Sequence, residues 1–196
     1  MAIKLILYIK CCENKFMGLT LITHFAQEGY RTLSEVLKPI QLERVCRVPY
    51  GRVEDSQRYA VDNLPYHFTV TSSKESLAKV MSQMNGFEFP PFTIAIDGLD
   101  IMRGRNNSLV LYFKIRPSKE MDNLQIRLYE IFGNKNYLPQ NNITHMTLCI
   151  SKDHDKIFRL KKAIKPNFQP FKLEIISLGL YEIWPAQLQV VFPSTR

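Results

Sequence analysis

The chain has 196 residues, of which 45% are hydrophobic, 11% aromatic and 22% charged. That balance excludes a disordered polypeptide and fits one sizeable globular domain. A formal net charge of +8 favours an anionic partner: nucleic acid, nucleotides or phosphorylated metabolites, ahead of an anionic membrane surface.

The first apolar run, Ile3 to Ile9, is interrupted by Lys4 and too short to span a bilayer. No small-residue cleavage site follows it, so the run reads as a buried strand over residues 2–9, not as a signal peptide. Cys11, Cys12, Cys46 and Cys149 have no C-x-x-C spacing. The adjacent pair suits neither a structural disulfide nor a zinc knuckle, so reduced thiols in a cytoplasmic protein are expected. Two helices are expected over residues 16–28 and 31–39, then a strand over 43–50. A basic stretch, Arg44, Arg47, Arg52 and Arg58, leads to Leu64-Pro-Tyr-His-Phe-Thr-Val70.

Beyond this point the pattern sharpens. Ser72 three residues ahead of Glu75 reads as a capping box, and Leu77, Val80, Met81 and Met84 follow at helical spacing, predicting a helix over 73–85 that stops at Gly86. Strands over 93–102 and 109–115 flank a hairpin connection at Arg103-Gly-Arg-Asn-Asn107. Met121, Leu124, Leu128 and Ile131 mark a helix over 118–132 that ends before Gly133. Ile157, Leu160 and Ile164 mark another over 153–164, stopped by Pro166. Strands over 171–181 and 188–192 close the chain around a turn at Pro185.

The two halves repeat. Phe89-Pro-Pro-Phe-Thr-Ile-Ala-Ile-Asp-Gly-Leu99 and Phe168-Gln-Pro-Phe-Lys-Leu-Glu-Ile-Ile-Ser-Leu178 share F-x-P-F-x-(I/L)-x-I-x-x-L, with 79 positions between equivalents. Upstream of each lies a histidine motif, His67-Phe-Thr-Val70 and His145-Met-Thr-Leu148, 78 positions apart. Each half therefore runs histidine strand, helix, F-x-P-F strand, returning strand. Two copies at so long an offset exclude a solenoid. They predict duplicated β-α-β-β units with antiparallel sheets about a pseudo-twofold axis, and a single two-lobed domain over 1–196. Residues 1–42 form an N-terminal extension.

Residues two apart in a strand share a face. His67 and Thr69 therefore stand side by side while Phe68 and Val70 anchor the strand, and His145 with Thr147 repeats the arrangement. Two imidazoles across a groove can divide acid–base work, one taking a proton and the other giving one, while hydroxyls hold non-bridging phosphate oxygens. That chemistry needs no metal. His24 and His154 lack partners at metal-ligand spacing, and no metal or cofactor is expected. No Walker loop, G-x-G-x-x-G or G-x-S-x-G occurs, which argues against ATP-dependent chemistry and serine hydrolysis.

The paired motifs resemble the H-x-(T/S)-x motifs of the two-histidine phosphoesterase superfamily, which includes 2′-5′ RNA ligase-like proteins and cyclic nucleotide phosphodiesterases. The resemblance covers about residues 43–193. It implies an α+β, bilobal LigT-like fold with both motifs in a central cleft, and His67 and His145 as catalytic residues. Thr69 and Thr147 would bind phosphate. The implied reaction is hydrolysis of a 2′,3′-cyclic phosphate, or of a related 2′-5′ or cyclic phosphodiester, on RNA ends or nucleotides. Its alternatives are ligation by the reverse reaction, or nucleotide binding without turnover. Many members carry an arginine after the second motif; here Cys149-Ile-Ser-Lys152 follows, with Lys152 as the nearby cation. Arg52 could line the cleft, and Tyr66 and Tyr181 could either stack a base or pack in the core. No membrane partner is expected, and the protein should be a monomer.

Overall fold

A computed structural model describes residues 18–39, 66–104, 106–183 and 186–195. The strands expected over 2–9 and 43–50, the turn at Pro185 and the stretch containing Arg52 lie outside the described residues. Within them the order is β1 (Leu19–Phe25), α1 (Gln27–Val36), β2 (Thr69–Ser73), α2 (Leu77–Gln83), β3 (Phe92–Arg103), β4 (Leu109–Ile115), α3 (Lys119–Phe132), β5 (His145–Ser151), α4 (His154–Ile164), β6 (Phe171–Ile183) and β7 (Ala186–Pro193).

Most boundaries follow the sequence signals. Ser118 caps α3 by accepting from the Met121 amide at 3.2 Å, and Gly133 ends it in the left-handed conformation, φ 65°. Asp153 caps α4 through the Lys156 amide at 3.0 Å. Two expectations fail. Residues 19–25, expected within a helix over 16–28, form β1, and one helix, α1, replaces the pair. The segment Leu-Thr-Leu-Ile-Thr-His-Phe is dense in β-branched residues, which lose side-chain freedom in a helix and pack well on a pleated surface. The helix expected over 73–85 begins at Leu77, and the capping box does not form. Ser73 ends β2 and accepts from the Glu75 amide at 3.1 Å, while Ser76 becomes the cap.

The strands form one seven-stranded antiparallel sheet in the order β2-β1-β6-β3-β4-β5, with β7 also paired to β6. Its symmetry is visible in the register. In the β3–β6 pair Ile94 stands opposite Leu173, and these two residues are themselves equivalents in the 79-residue repeat. A pseudo-twofold axis therefore passes between them. The repeat extends outward, because Leu99 pairs with Phe113 in one half and Leu178 with Phe192 in the other. The bulges match too. Asp97 is the extra residue of β3 against β4, and Ile176 is the extra residue of β6 against β1.

Each bulge shifts the side-chain phase of its strand. Ile94, Ile96, Leu173 and Ile175 are core residues before the bulges; after them the core face is taken up by Leu99 and Ile101 in β3, and by Leu178 and Leu180 in β6. Leu33 of α1, Val80 of α2, Leu124 and Leu128 of α3, and Ile157, Leu160 and Ile164 of α4 join the same core. The described helices therefore pack on one face of the sheet, and the motif histidines and threonines project from the other. No helix among the described residues is long and apolar enough to cross a membrane.

Because Ile94 and Leu173 are both essentially fully buried at the axis, Ile94→Ala and Leu173→Ala should each cost about 2–5 kcal/mol. As direct neighbours they should couple, so that the double variant departs from the sum by ~0.5 kcal/mol or more. Denaturant unfolding of the three variants checks this; strict additivity would contradict the pairing at the axis.

Candidate active site

The two motif strands occupy the ends of the sheet path. β2 lies two strands from β6 and β5 lies two strands from β3, so they are placed symmetrically about the central pair. In the first motif Phe68 is fully buried, its ring edge-on to Phe25 at 5.3 Å. His67 and Thr69, one residue to either side, therefore leave the sheet on the opposite face. The segment before β2 is tied to β1 by Thr23. Its amide donates to the Phe68 carbonyl at 3.0 Å, and its hydroxyl accepts from the Phe68 amide at 3.0 Å. Within β2, the Ser72 carbonyl accepts from the Asn134 side chain at 2.8 Å, which holds the strand against the end of α3.

The second motif is built alike. Met146 and Leu148 are buried, while His145 and Thr147 are half-buried on the face opposite the described helices. Register places His145 beside Lys114 and Thr147 beside Tyr112. Tyr112 packs edge-on against the His145 ring, with centroids 5.4 Å apart. Gln125, buried in α3, donates to the Thr144 hydroxyl at 3.1 Å and so fixes the entry to β5. His145 Nδ1 lies 2.7 Å from the Ile143 carbonyl oxygen. Since a carbonyl only accepts, Nδ1 carries the proton and the neutral ring keeps its lone pair on Nε2. Burial holds the His145 pKa below the ordinary imidazole value, with the Ile143 carbonyl opposing that shift. A neutral imidazole with a fixed tautomer is suited to accept a proton.

A third histidine shares this face. His24, on β1, places Nδ1 3.1 Å from the Ser177 hydroxyl and Nε2 3.1 Å from the Tyr181 hydroxyl, both on β6. Burial lowers its pKa and raises that of Tyr181. Gly179 lies between those two β6 residues, where a Cβ would fall 2.5 Å from the His24 ring and 2.7 Å from that of Tyr181. The absence of a side chain there makes room for the pair.

The other expected residues are placed less uniformly. Tyr66, next to the first motif, is half-buried and packs against the core. Tyr181 is only 5% exposed, with its ring edge-on to His24, so its face is not open for stacking. Lys152 is a correction. It follows the far end of β5, seven residues beyond His145, roughly 23 Å away by strand rise, and is not brought to the second motif. The exposed Lys114 stands there instead.

Sequence reasoning missed His24 because the segment was read as helical. Read as a strand, Thr20, Ile22 and His24 alternate with core residues. Lys114 and Tyr112 were legible, since both alternate with Leu111, Phe113 and Ile115 in a strand that was expected.

A cavity of about 410 Å³ lies beside Phe89, Phe92, Leu124 and Arg127, and another of about 510 Å³ beside Arg103, Asn107, His154 and Phe158. Neither includes a motif residue. Among the described residues, no three His, Cys, Asp or Glu side chains gather as a metal site.

Comparison with known proteins bears on the fold and the family. Among solved structures, the chain is similar to Escherichia coli LigT complexed with 3′-AMP. The TM-score is 0.53 at 15% identity, over 92% of this chain and 99% of that one. The apo form of E. coli LigT gives 0.55 at 16% identity, over 92% and 98%. Kluyveromyces marxianus Usb1 gives 0.50 at 10% identity, over 91% and 98%. These likenesses establish a LigT-like fold. No curated protein matches the sequence. A sequence model of the 2′-5′ RNA ligase superfamily matches residues 57–183, a span that holds both histidine motifs and the F-x-P-F repeat. The chain belongs to the 2′-5′ RNA ligase superfamily of two-histidine phosphoesterases.

Proposed function

We propose that the protein is a metal-independent phosphodiesterase that opens a 2′,3′-cyclic phosphate, or a related 2′-5′ or cyclic phosphodiester, on RNA ends or nucleotides. The observation that carries this reading is the second motif. A half-buried imidazole has its tautomer fixed by the Ile143 carbonyl, with a threonine hydroxyl on the same face. Family membership and the 3′-AMP bound by LigT support the substrate class.

In the proposed reaction His145 Nε2 removes a proton from the water that attacks phosphorus. His67, protonated, gives a proton to the departing ribose oxygen, so one P–O bond forms, one breaks, and the proton count is restored. The Thr69 and Thr147 hydroxyls donate to the non-bridging oxygens as charge builds on them. Lys114 adds a cation beside the second motif. Ligation runs the same steps backwards with the same residues.

His67→Ala and His145→Ala should each lower turnover of a 2′,3′-cyclic nucleotide by about 10²–10⁴-fold, and EDTA should leave the wild type unchanged. Full activity in either variant, or its loss on chelation, would overturn the reading.

The pH dependence has a defined sign. With its folded pKa below about 6.5, His145 is neutral at pH 7. The acid limb of kcat/KM should therefore fall through a pKa below 6.5. His24 is shifted the same way, so the unfolded chain binds more protons than the folded one as pH drops below about 6.5. The stability contributed by these two groups is present above that pH and lost as pH falls through their folded values. An acid limb above 6.5 would contradict the role given to His145.

A further inference from the structure

Thr69 and Thr147 hold equivalent places in the two motifs, and register sets the residue beside each on the neighbouring strand. Tyr112 of β4 stands between Asp100 of β3 and Thr147 of β5. Ile22 of β1 stands between Gly179 of β6 and Thr69 of β2. Asp100 and Gly179 are 79 positions apart, so they are equivalents in the repeat, and Tyr112 and Ile22 occupy matching places beside the two motifs. Their chemistry differs. Ile22 is a fully buried aliphatic side chain, whereas Tyr112 is a ring, 7% exposed. That ring is set edge-on to the His145 ring, with centroids 5.4 Å apart and planes at 74°.

The geometry points to Tyr112 as a positioning residue for His145, its ring fixing the plane of an imidazole that the Ile143 carbonyl holds at one nitrogen. Three observations carry it. The hydrogen bond from His145 Nδ1 to the Ile143 carbonyl, 2.7 Å long, anchors one atom of the ring and leaves the ring able to tilt about that point. The contact with Tyr112 opposes the tilt, because aromatic pairs prefer an edge-on arrangement to most others. Tyr112 is itself held, buried on a strand paired on both sides. With Nδ1 engaged, Nε2 is left for the reacting proton, and a fixed plane aims its lone pair. Correct orientation of a reacting group is a rate term distinct from binding. The Tyr112 ring also contributes to the burial that holds the His145 pKa down. Along the sheet, the titratable groups on this side of His145 are Lys114 beside it and Tyr112 itself. Beyond Tyr112 lie Asp100 of β3 and Lys161 of α4, an ion pair at 3.0 Å whose charges act on the phenol in opposite senses.

This inference rests on the proposed role of His145, and the test separates the two. Full-length wild type, Tyr112→Ile, Tyr112→Phe and His145→Ala are compared on a 2′,3′-cyclic nucleotide across pH, with thermal unfolding of each. Tyr112→Ile gives the second motif the residue that already stands beside the first, and removes the ring. Its kcat should fall about five- to tenfold with KM within about twofold. The acid limb of its kcat/KM should move up toward the ordinary imidazole value as the burial of His145 is relieved. Tyr112→Phe, which keeps the ring, should recover most of both changes. Wild-type kcat in Tyr112→Ile would overturn the inference, as would a loss that Tyr112→Phe does not recover. A loss with the acid limb in its wild-type place would overturn it too, since that is what general loosening of the fold gives. Should Tyr112→Ile fail to fold, Tyr112→Met, which fills the space without a fixed plane, decides by the same readings. If His145→Ala is fully active, the proposed function itself fails.

Discussion

The architecture depends on the antiparallel pairing of β3 with β6, in which Ile94 lies opposite its own repeat equivalent, Leu173. Once two equivalent residues of a duplicated unit face each other in an antiparallel ladder, a local twofold follows. The strand β4 beside β3 then has a positional counterpart in β1 beside β6, while β7 is an additional partner of β6. The matched bulges at Asp97 and Ile176 propagate this outward by turning the apolar phase of each strand at the same distance from the axis. Ile94, Ile96, Leu173 and Ile175 pack under the centre, and Leu99, Ile101, Leu178 and Leu180 pack under the wings.

The consequence for function is positional. The motif strands β2 and β5 do not pair with strands of their own half. β5 joins β4 of the first half, and β2 reaches β6 of the second through β1. Each histidine motif is thus built into the framework of the opposite copy, which couples the two motifs through the central pair. The symmetry stops at the flanking strands. β1, which comes from outside the repeat, carries a histidine bonded to Ser177 and Tyr181 of β6, whereas β4, from within it, places a lysine beside the second motif. Two similar histidines thereby meet different surroundings, a condition for giving them different protonation roles.

Much of this was legible in the sequence, for identifiable reasons. The F-x-P-F echo fixed the duplication because a buried strand at an axis tolerates few residue types, and both copies retained theirs. Gly133 and Pro166 marked helix ends because such stop signals act locally. The first helix was misplaced for the converse reason. Leu19 to Phe25 has β-branched residues that suit a strand, but the strand is completed by β2 and β6, and those partners lie far away in the chain. Losing the strand meant losing His24, whose meaning comes wholly from Ser177 and Tyr181. Lys152 was proposed from closeness in sequence, but along a strand seven residues carry a side chain well away from the site. Lys114, distant in sequence, is brought alongside by register.

The central claim is that His67 and His145 act on one phosphate. A structure of the full chain bound to a nucleoside 2′- or 3′-monophosphate, the two products that opening a 2′,3′-cyclic phosphate can leave, tests it most directly. The account predicts a single phosphate with both imidazoles within hydrogen-bonding distance, roughly 2.6–3.2 Å, and the Thr69 and Thr147 hydroxyls on its non-bridging oxygens. A phosphate held by only one histidine, or bound away from both, would contradict it.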